Sequence, residues 1–136
     1  MPLSLRARCF VLAGALLPLP AVAAEQVECH YSYGGETRIL VAAPVASPYE
    51  VPAVAVGSYF QFRVVFQNQP ADLASIKVYT YADRDEGLVP IHQATYAYPP
   101  APAPKARHGF TGLNFVYEPM RDGELQYWCR LKREGK

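Results

Sequence analysis

Histidine and methionine are the side chains of this chain best suited to bind a transition metal. The sequence contains three histidines, His30, His92 and His108, and Met120 is its one methionine beyond the first residue. Imidazole and thioether ligands together suit copper. No two of these histidines are separated by one or three residues, so their spacing does not place two of them on one face of a strand or helix. Copper binding at this set is therefore the alternative prediction, and the main prediction is that the protein needs no cofactor.

Nucleophiles and paired acids give no sign of an enzyme. None of the serines at positions 32, 47, 58 and 75 lies in a Gly-x-Ser-x-Gly elbow. Paired-acid catalysis depends on a distance between carboxylates, which a sequence does not show. We therefore predict a protein that is not an enzyme.

The first residues have the pattern of an export signal. Residues 1–8 carry two arginines and no acid, and the apolar run at residues 10–24 ends in small side chains. This is typical of a secretory signal peptide with an A-x-A-type cleavage site. A membrane-spanning helix needs roughly 20 apolar residues, and this run is shorter and contains Pro18 and Pro20. The sequence predicts a cleaved leader at residues 1–24, a periplasmic or secreted protein, and no membrane anchor after cleavage.

The cysteine count follows from that cleavage. Loss of the leader removes Cys9 and leaves Cys29 and Cys129 in an oxidising compartment, where thiols pair. The sequence therefore predicts a Cys29–Cys129 disulfide within a single domain of residues 25–136. In the chain-entropy model, closing a loop of about 100 residues stabilises a protein by ~4–5 kcal/mol. We expect a structural role for both cysteines.

The charge balance argues against nucleic acid as a partner. The chain has 13 Lys and Arg against 12 Asp and Glu, and the leader takes two arginines with it. The remaining domain is close to neutral, without the basic field that nucleic acid requires. The basic residues near the C-terminus are interpreted as a solvated tail: Arg130, Lys132, Arg133 and Lys136.

β-Strands are the elements that must position these residues. The chain is divided by breaks that contain Gly or Pro, and within each segment apolar and polar residues alternate. The strongest strand spans residues 58–67, where Phe60, Phe62, Val64 and Phe66 share one face and should form the centre of the core. Residues 43–56 contain three prolines and are predicted to be an edge strand or an ordered loop. The other predicted strands are residues 26–33, 37–42, 76–82, 89–98, 110–118 and 124–131.

About seven short strands with a disulfide between the first and the last favour an antiparallel β-sandwich. The sequence Leu125-Gln126-Tyr127-Trp128-Cys129 resembles the tyrosine-x-cysteine step of immunoglobulin domains. This resemblance implies an immunoglobulin-like sandwich. The predicted Cys29–Cys129 disulfide would tie its N- and C-terminal strands.

Tyrosine is the residue type that most suggests a binding surface. All ten tyrosines lie beyond the leader, and two pairs occupy consecutive predicted strands, the second running into the proline segment, residues 99–104. Tyrosine provides a large contact area and is enriched at protein interfaces. A core role for the tyrosines and a stiff structural role for the prolines remain alternatives. The predicted contact surface for a protein or glycan partner consists of Tyr79, Tyr81, Tyr96, Tyr98, Pro99, Pro100 and Pro102.

Overall fold

The computed structural model describes residues 14–19 and 24–134. Apart from residues 14–19 and Ala24, the predicted signal peptide lies outside the described residues, as do Cys9 and Lys136. In the part of the chain that is described, no helix is long and apolar enough to cross a membrane.

Within the described residues, eight strands form two antiparallel sheets. The strands are β1 (Glu25–Tyr33), β2 (Glu36–Ala42), β3 (Val54–Val56), β4 (Phe60–Gln67), β5 (Ser75–Arg84), β6 (Gly87–Ala97), β7 (Asn114–Glu118) and β8 (Gly123–Arg133). The first sheet has the order β2-β1-β8-β7 and the second has the order β3-β4-β5-β6. The all-β fold of two antiparallel sheets is confirmed.

The strand that exceeds the predicted number is β3. It lies in the proline-rich segment predicted to be an edge strand or a loop, and it pairs with β4 at the edge of the second sheet. A short 3-10 helix, Pro48–Glu50, precedes it. Prolines remove backbone donors, so this segment can form only a short strand at an edge.

The two sheets pack through the faces that the alternation predicts. Every second residue of β4 from Phe60 to Phe66 is buried. The Phe62 ring lies 5.2 Å from that of Tyr31 on β1 and 5.4 Å from that of Tyr127 on β8, measured between centroids. Burying one large apolar side chain contributes about 1.5–3 kcal/mol, so this aromatic layer is a major source of stability.

The Cys29–Cys129 disulfide is confirmed, and both residues are fully buried. The two cysteines are directly opposed on β1 and β8, which are neighbours in the first sheet. Their Cα atoms are 4.1 Å apart, close to the ~4.5 Å of a non-hydrogen-bonded antiparallel pair. The bridge therefore fixes the register between the first and last strands of one sheet.

A loop, residues 108–112, satisfies the Cys129 backbone from the side away from β1. The Cys129 amide donates to Thr111 Oγ1 at 2.8 Å, and its carbonyl accepts from the Phe110 amide at 3.1 Å. Gly109 makes this approach possible, because it has a φ of 60° and a Cβ there would collide with the Cys129 carbonyl. β8 extends past Cys129 to Arg133, whereas β7 pairs with β8 only as far as Tyr127.

Candidate binding surface

Tyr79 and Tyr81 lie on the outer face of the second sheet. Their neighbours along β5 point inward and are buried, whereas these two rings are half-buried. The rings lie 6.2 Å apart and nearly parallel, and the guanidinium carbon of Arg63 is 5.1 Å from the Tyr79 centroid. Arg63 is itself held by the carbonyl of Val51 at 2.7 Å. Arg63 therefore links this tyrosine pair to the backbone of the segment that precedes the edge strand β3.

Tyr96 and Tyr98 lie on the inner face of the same sheet. Tyr96 is opposite the fully buried Ile76 in the ladder between β5 and β6, and its ring packs 5.4 Å from that of Phe110. The Tyr98 ring packs 5.1 Å from that of Phe66. Both tyrosines pack against the hydrophobic core. The four predicted tyrosines therefore do not form one continuous surface.

This difference predicts unequal effects of two alanine substitutions. We expect Tyr96→Ala to lower the free energy of unfolding by up to about 3 kcal/mol, because it removes a ring that packs against the core. Tyr79→Ala should cost about 1 kcal/mol or less, since it removes a cation–π contact and one half-buried ring. Chemical denaturation of both variants measures the difference. Equal losses of stability would contradict the assignment of the two rings to opposite faces.

The proline segment forms one wall of a groove of about 700 Å³. The opposite wall is the end of β8, residues 130–133, and Gly109 and Phe110 also line it. Three residues of the predicted surface, Pro99, Pro100 and Pro102, line this groove, whereas the four tyrosines do not. The structure thus separates the prolines from Tyr79 and Tyr81 on the outer face, whereas Tyr96 packs against Phe110, a residue of the groove lining.

The cations at the groove are held by glutamates of β1. Glu28 is 5% exposed although it lies on the outer face of its sheet. Its carboxylate is 2.6 Å from Arg130 Nη2, 3.4 Å from Lys132 Nζ and 3.0 Å from His30 Nε2. Burial would raise the pKa of Glu28, but hydrogen bonds from these three side chains outweigh it and hold the pKa below its usual value. Glu28 is therefore an ionised anchor for the β8 cations.

A second anchor fixes the last cation of β8. Arg133 Nε lies 2.7 Å from Glu25 Oε1. The Tyr98 hydroxyl donates to the other oxygen of Glu25, and this bond is the main reason that the pKa of Glu25 is lowered. The interpretation of this basic cluster as a solvated tail is therefore wrong for Arg130, Lys132 and Arg133, because all three belong to a paired strand; Lys136 lies outside the described residues.

The structure does not bring together the residues of the copper alternative. The His30 ring stacks on Trp128 with centroids 4.1 Å apart, and His108 meets the same indole edge-on at 5.9 Å. His92 instead lies inside, with Nε2 at 2.6 Å from the Tyr127 hydroxyl, and burial lowers its pKa. Met120 is exposed in the turn before β8. Within residues 14–19 and 24–134, no group of three His, Cys, Asp or Glu side chains could hold a metal ion.

Sequence reasoning missed the β8 wall of the groove. The signal for it was available, because pairing Cys29 with Cys129 in an antiparallel ladder also sets Glu28 opposite Arg130 and Glu25 opposite Arg133. No comparable pattern in the sequence indicates that Phe110 lines the groove, because its position depends on the path of the loop after the proline segment.

No protein-family model, curated protein or solved structure matches this chain.

Proposed function

We propose that the protein is an exported, non-enzymatic binding module that recognises a protein partner through the groove between the proline segment and β8. The observation that carries this proposal is the groove itself. Its volume of about 700 Å³ lies in the range of about 300–1,000 Å³ typical of small-ligand pockets, which leaves room for a short peptide segment of a partner. Its proline wall is conformationally restricted, so little entropy would be lost when a partner binds there.

The chemistry of the lining favours a protein over a glycan. The side chains that line the groove are apolar or cationic, and they include no carboxylate or side-chain amide. Sugar hydroxyls need acceptors as well as donors, and these side chains would supply donors only. The proposal therefore retains Pro99, Pro100 and Pro102 from the predicted surface. Copper binding is not carried forward, because His92 points into the core while His30 and His108 contact Trp128.

Export to the periplasm or the medium is part of the same proposal. The leader pattern at residues 1–24 supports it, and a disulfide is consistent with an oxidising compartment. An immunoglobulin-like relationship is likewise a proposal, which the two sheets and the Tyr127-x-Cys129 step support. One feature differs from immunoglobulin domains: their disulfide joins the two sheets, whereas this one lies within a sheet.

Site-directed photo-cross-linking tests the binding proposal. A photoreactive residue replaces Ala101, an exposed residue of the groove wall, and the control places it at the exposed Ala71, which does not line the groove. In the exporting host, we expect an adduct of one defined mass at Ala101 and none at Ala71. No adduct at Ala101, or the same adducts at both positions, would contradict the proposal. Native, non-reducing mass spectrometry of the recovered protein is the complementary measurement, and retained copper there would support the alternative.

A further inference from the structure

The open edge of β8 suggests how a partner would bind in this groove. We infer that the partner binds as an extended acidic peptide that adds a strand to β8 at Leu131 and Arg133. This inference rests on the proposed function and adds to it the binding mode and the chemistry of the partner. In strand addition, backbone hydrogen bonds provide affinity and side chains provide specificity.

The ladder between β1 and β8 determines where the edge lies. The Glu134 amide donates to the Ala24 carbonyl at 3.0 Å, whereas the Cys129 amide and carbonyl bond to Thr111 and Phe110, on the side away from β1. In an antiparallel ladder, opposed pairs that are joined by backbone hydrogen bonds alternate with opposed pairs that are not. The backbone groups of Leu131 and Arg133 therefore point away from β1, in the same direction as those of Cys129.

In residues 14–19 and 24–134, the first sheet provides no strand to pair with these groups. β7 begins at Asn114, opposite Tyr127, and the loop after the proline segment bonds only as far as Cys129. Among the described residues, no backbone hydrogen bond joins Leu131 or Arg133 to residues 99–104. Prolines have no N–H to donate, so the facing wall is poorly suited to pair with β8. An added strand would supply both donors and acceptors.

The positive charge around the groove favours an acidic peptide as its ligand. The side chains of Arg130, Lys132 and Arg133 remain 50%, 49% and 59% exposed while the β1 glutamates hold them. Lys105 and Arg107 are exposed just beyond the proline segment. A second copy of this chain added at the same edge would bring its own β8 cations against these, and like charges across a ladder are destabilising. Acidic side chains on the added strand would be attracted instead.

The direct test uses a short, capped, fluorescent peptide of alternating valine and glutamate, titrated into the purified full chain by anisotropy. Two isomers of this peptide carry N-methyl groups on all valines or on all glutamates. These modifications block opposite edges of the extended peptide, because successive amides of a strand point to opposite sides. We expect one isomer to bind at least about tenfold more weakly, which corresponds to two lost hydrogen bonds. Replacing glutamate with lysine should abolish binding.

Two proline variants provide the matched test on the protein. Leu131→Pro removes an amide from the proposed edge. Ile39→Pro is the control, because Ile39 opposes His30 from the other side and its amide points to the free edge of β2. We expect at least about tenfold weaker peptide binding for Leu131→Pro and unchanged binding for Ile39→Pro, with both variants checked by thermal unfolding. If Leu131→Pro does not fold, the methylated isomers still decide.

Three outcomes would overturn the inference. Equal binding of both methylated isomers would show a purely electrostatic contact. No binding of the acidic peptide would show that the prolines and cations protect the edge against pairing, as many edge strands require. Concentration-dependent self-association through this edge would identify a second copy as the occupant. A site-specific adduct at Ala101 together with equal binding of the two isomers would refute strand addition but would still support the proposed binding function.

Discussion

Replacing Cys29 with serine is expected to lower the free energy of unfolding by about 2–5 kcal/mol. The bridge closes a chain segment with a sequence separation of 100 residues, so its loss frees a large part of the unfolded ensemble. Both sulfur positions are fully buried, and a serine hydroxyl without a hydrogen-bond partner adds a desolvation cost there. Since domains of this size have roughly 5–15 kcal/mol of stability in total, the loss is a large fraction of it.

Urea denaturation under oxidising and reducing conditions measures this effect. Reductant should destabilise the wild-type chain and leave Cys29→Ser almost unchanged, because the variant has no bridge to lose. The double change of Cys29 and Cys129 to serine controls for the free thiol that the single change leaves behind. An unchanged urea midpoint in both variants would contradict a stabilising role for the bridge.

Glu118→Gln is expected to cause the second large loss of stability. Glu118 is fully buried at the end of β7, where Arg84 Nη2 lies 2.9 Å from one carboxylate oxygen and Arg121 Nε lies 3.0 Å from the other. The backbone amides of Met120 and Arg121 donate to the same carboxylate, each at 3.1 Å. Arg84 belongs to the other sheet, so this cluster ties the two sheets together. Glutamine keeps the shape but leaves two arginines without their counter-charge.

The same carboxylate predicts a pH dependence. Burial would raise the pKa of Glu118, but the hydrogen bonds from Arg84, Arg121 and the Met120 amide lower it from 4.5 to about 2. A pKa lowered by folding contributes stability above the unfolded value, and that stability is lost as the pH falls toward the folded value. The wild type should therefore exceed Glu118→Gln in melting temperature by several degrees at neutral pH. The gap should close between pH 4.5 and about pH 2.

Thermal unfolding at a series of pH values tests this expectation. Glu124→Gln is the matched control, because Glu124 lies at the start of β8 and is exposed. It should shift the melting temperature little at any pH. The variant Glu118→Gln should retain some acid sensitivity, since Glu25 and Glu28 also have lowered pKa values. A gap between wild type and Glu118→Gln that stays constant down to pH 2 would contradict the assigned pKa.

The groove depends on contacts that no local pattern encodes. β8 has an open edge because β7 begins at Asn114 while β8 extends to Arg133. The proline segment faces that edge only because the chain crosses from the second sheet to the first between Ala97 and Asn114. The sequence predicts an extended proline-rich run there, but it does not predict which strand lies beside it. Which strand lies beside the proline segment depends on how the whole chain folds and not on the local sequence.

The sequence by itself determined the strand-rich fold, the core face of β4 and the disulfide. These follow from a period of two residues and from the number of cysteines left after the predicted cleavage. The opposition of Glu28 and Arg130 needed the structure, because a disulfide alone does not decide whether its two strands are neighbours in one sheet or lie in different sheets. Only the tertiary structure decided which tyrosines pack against the core. Alternation tells which residues share a face of a strand, but the packing of the two sheets sets the partly buried Tyr96 against the core and leaves the half-buried Tyr79 on the outer face.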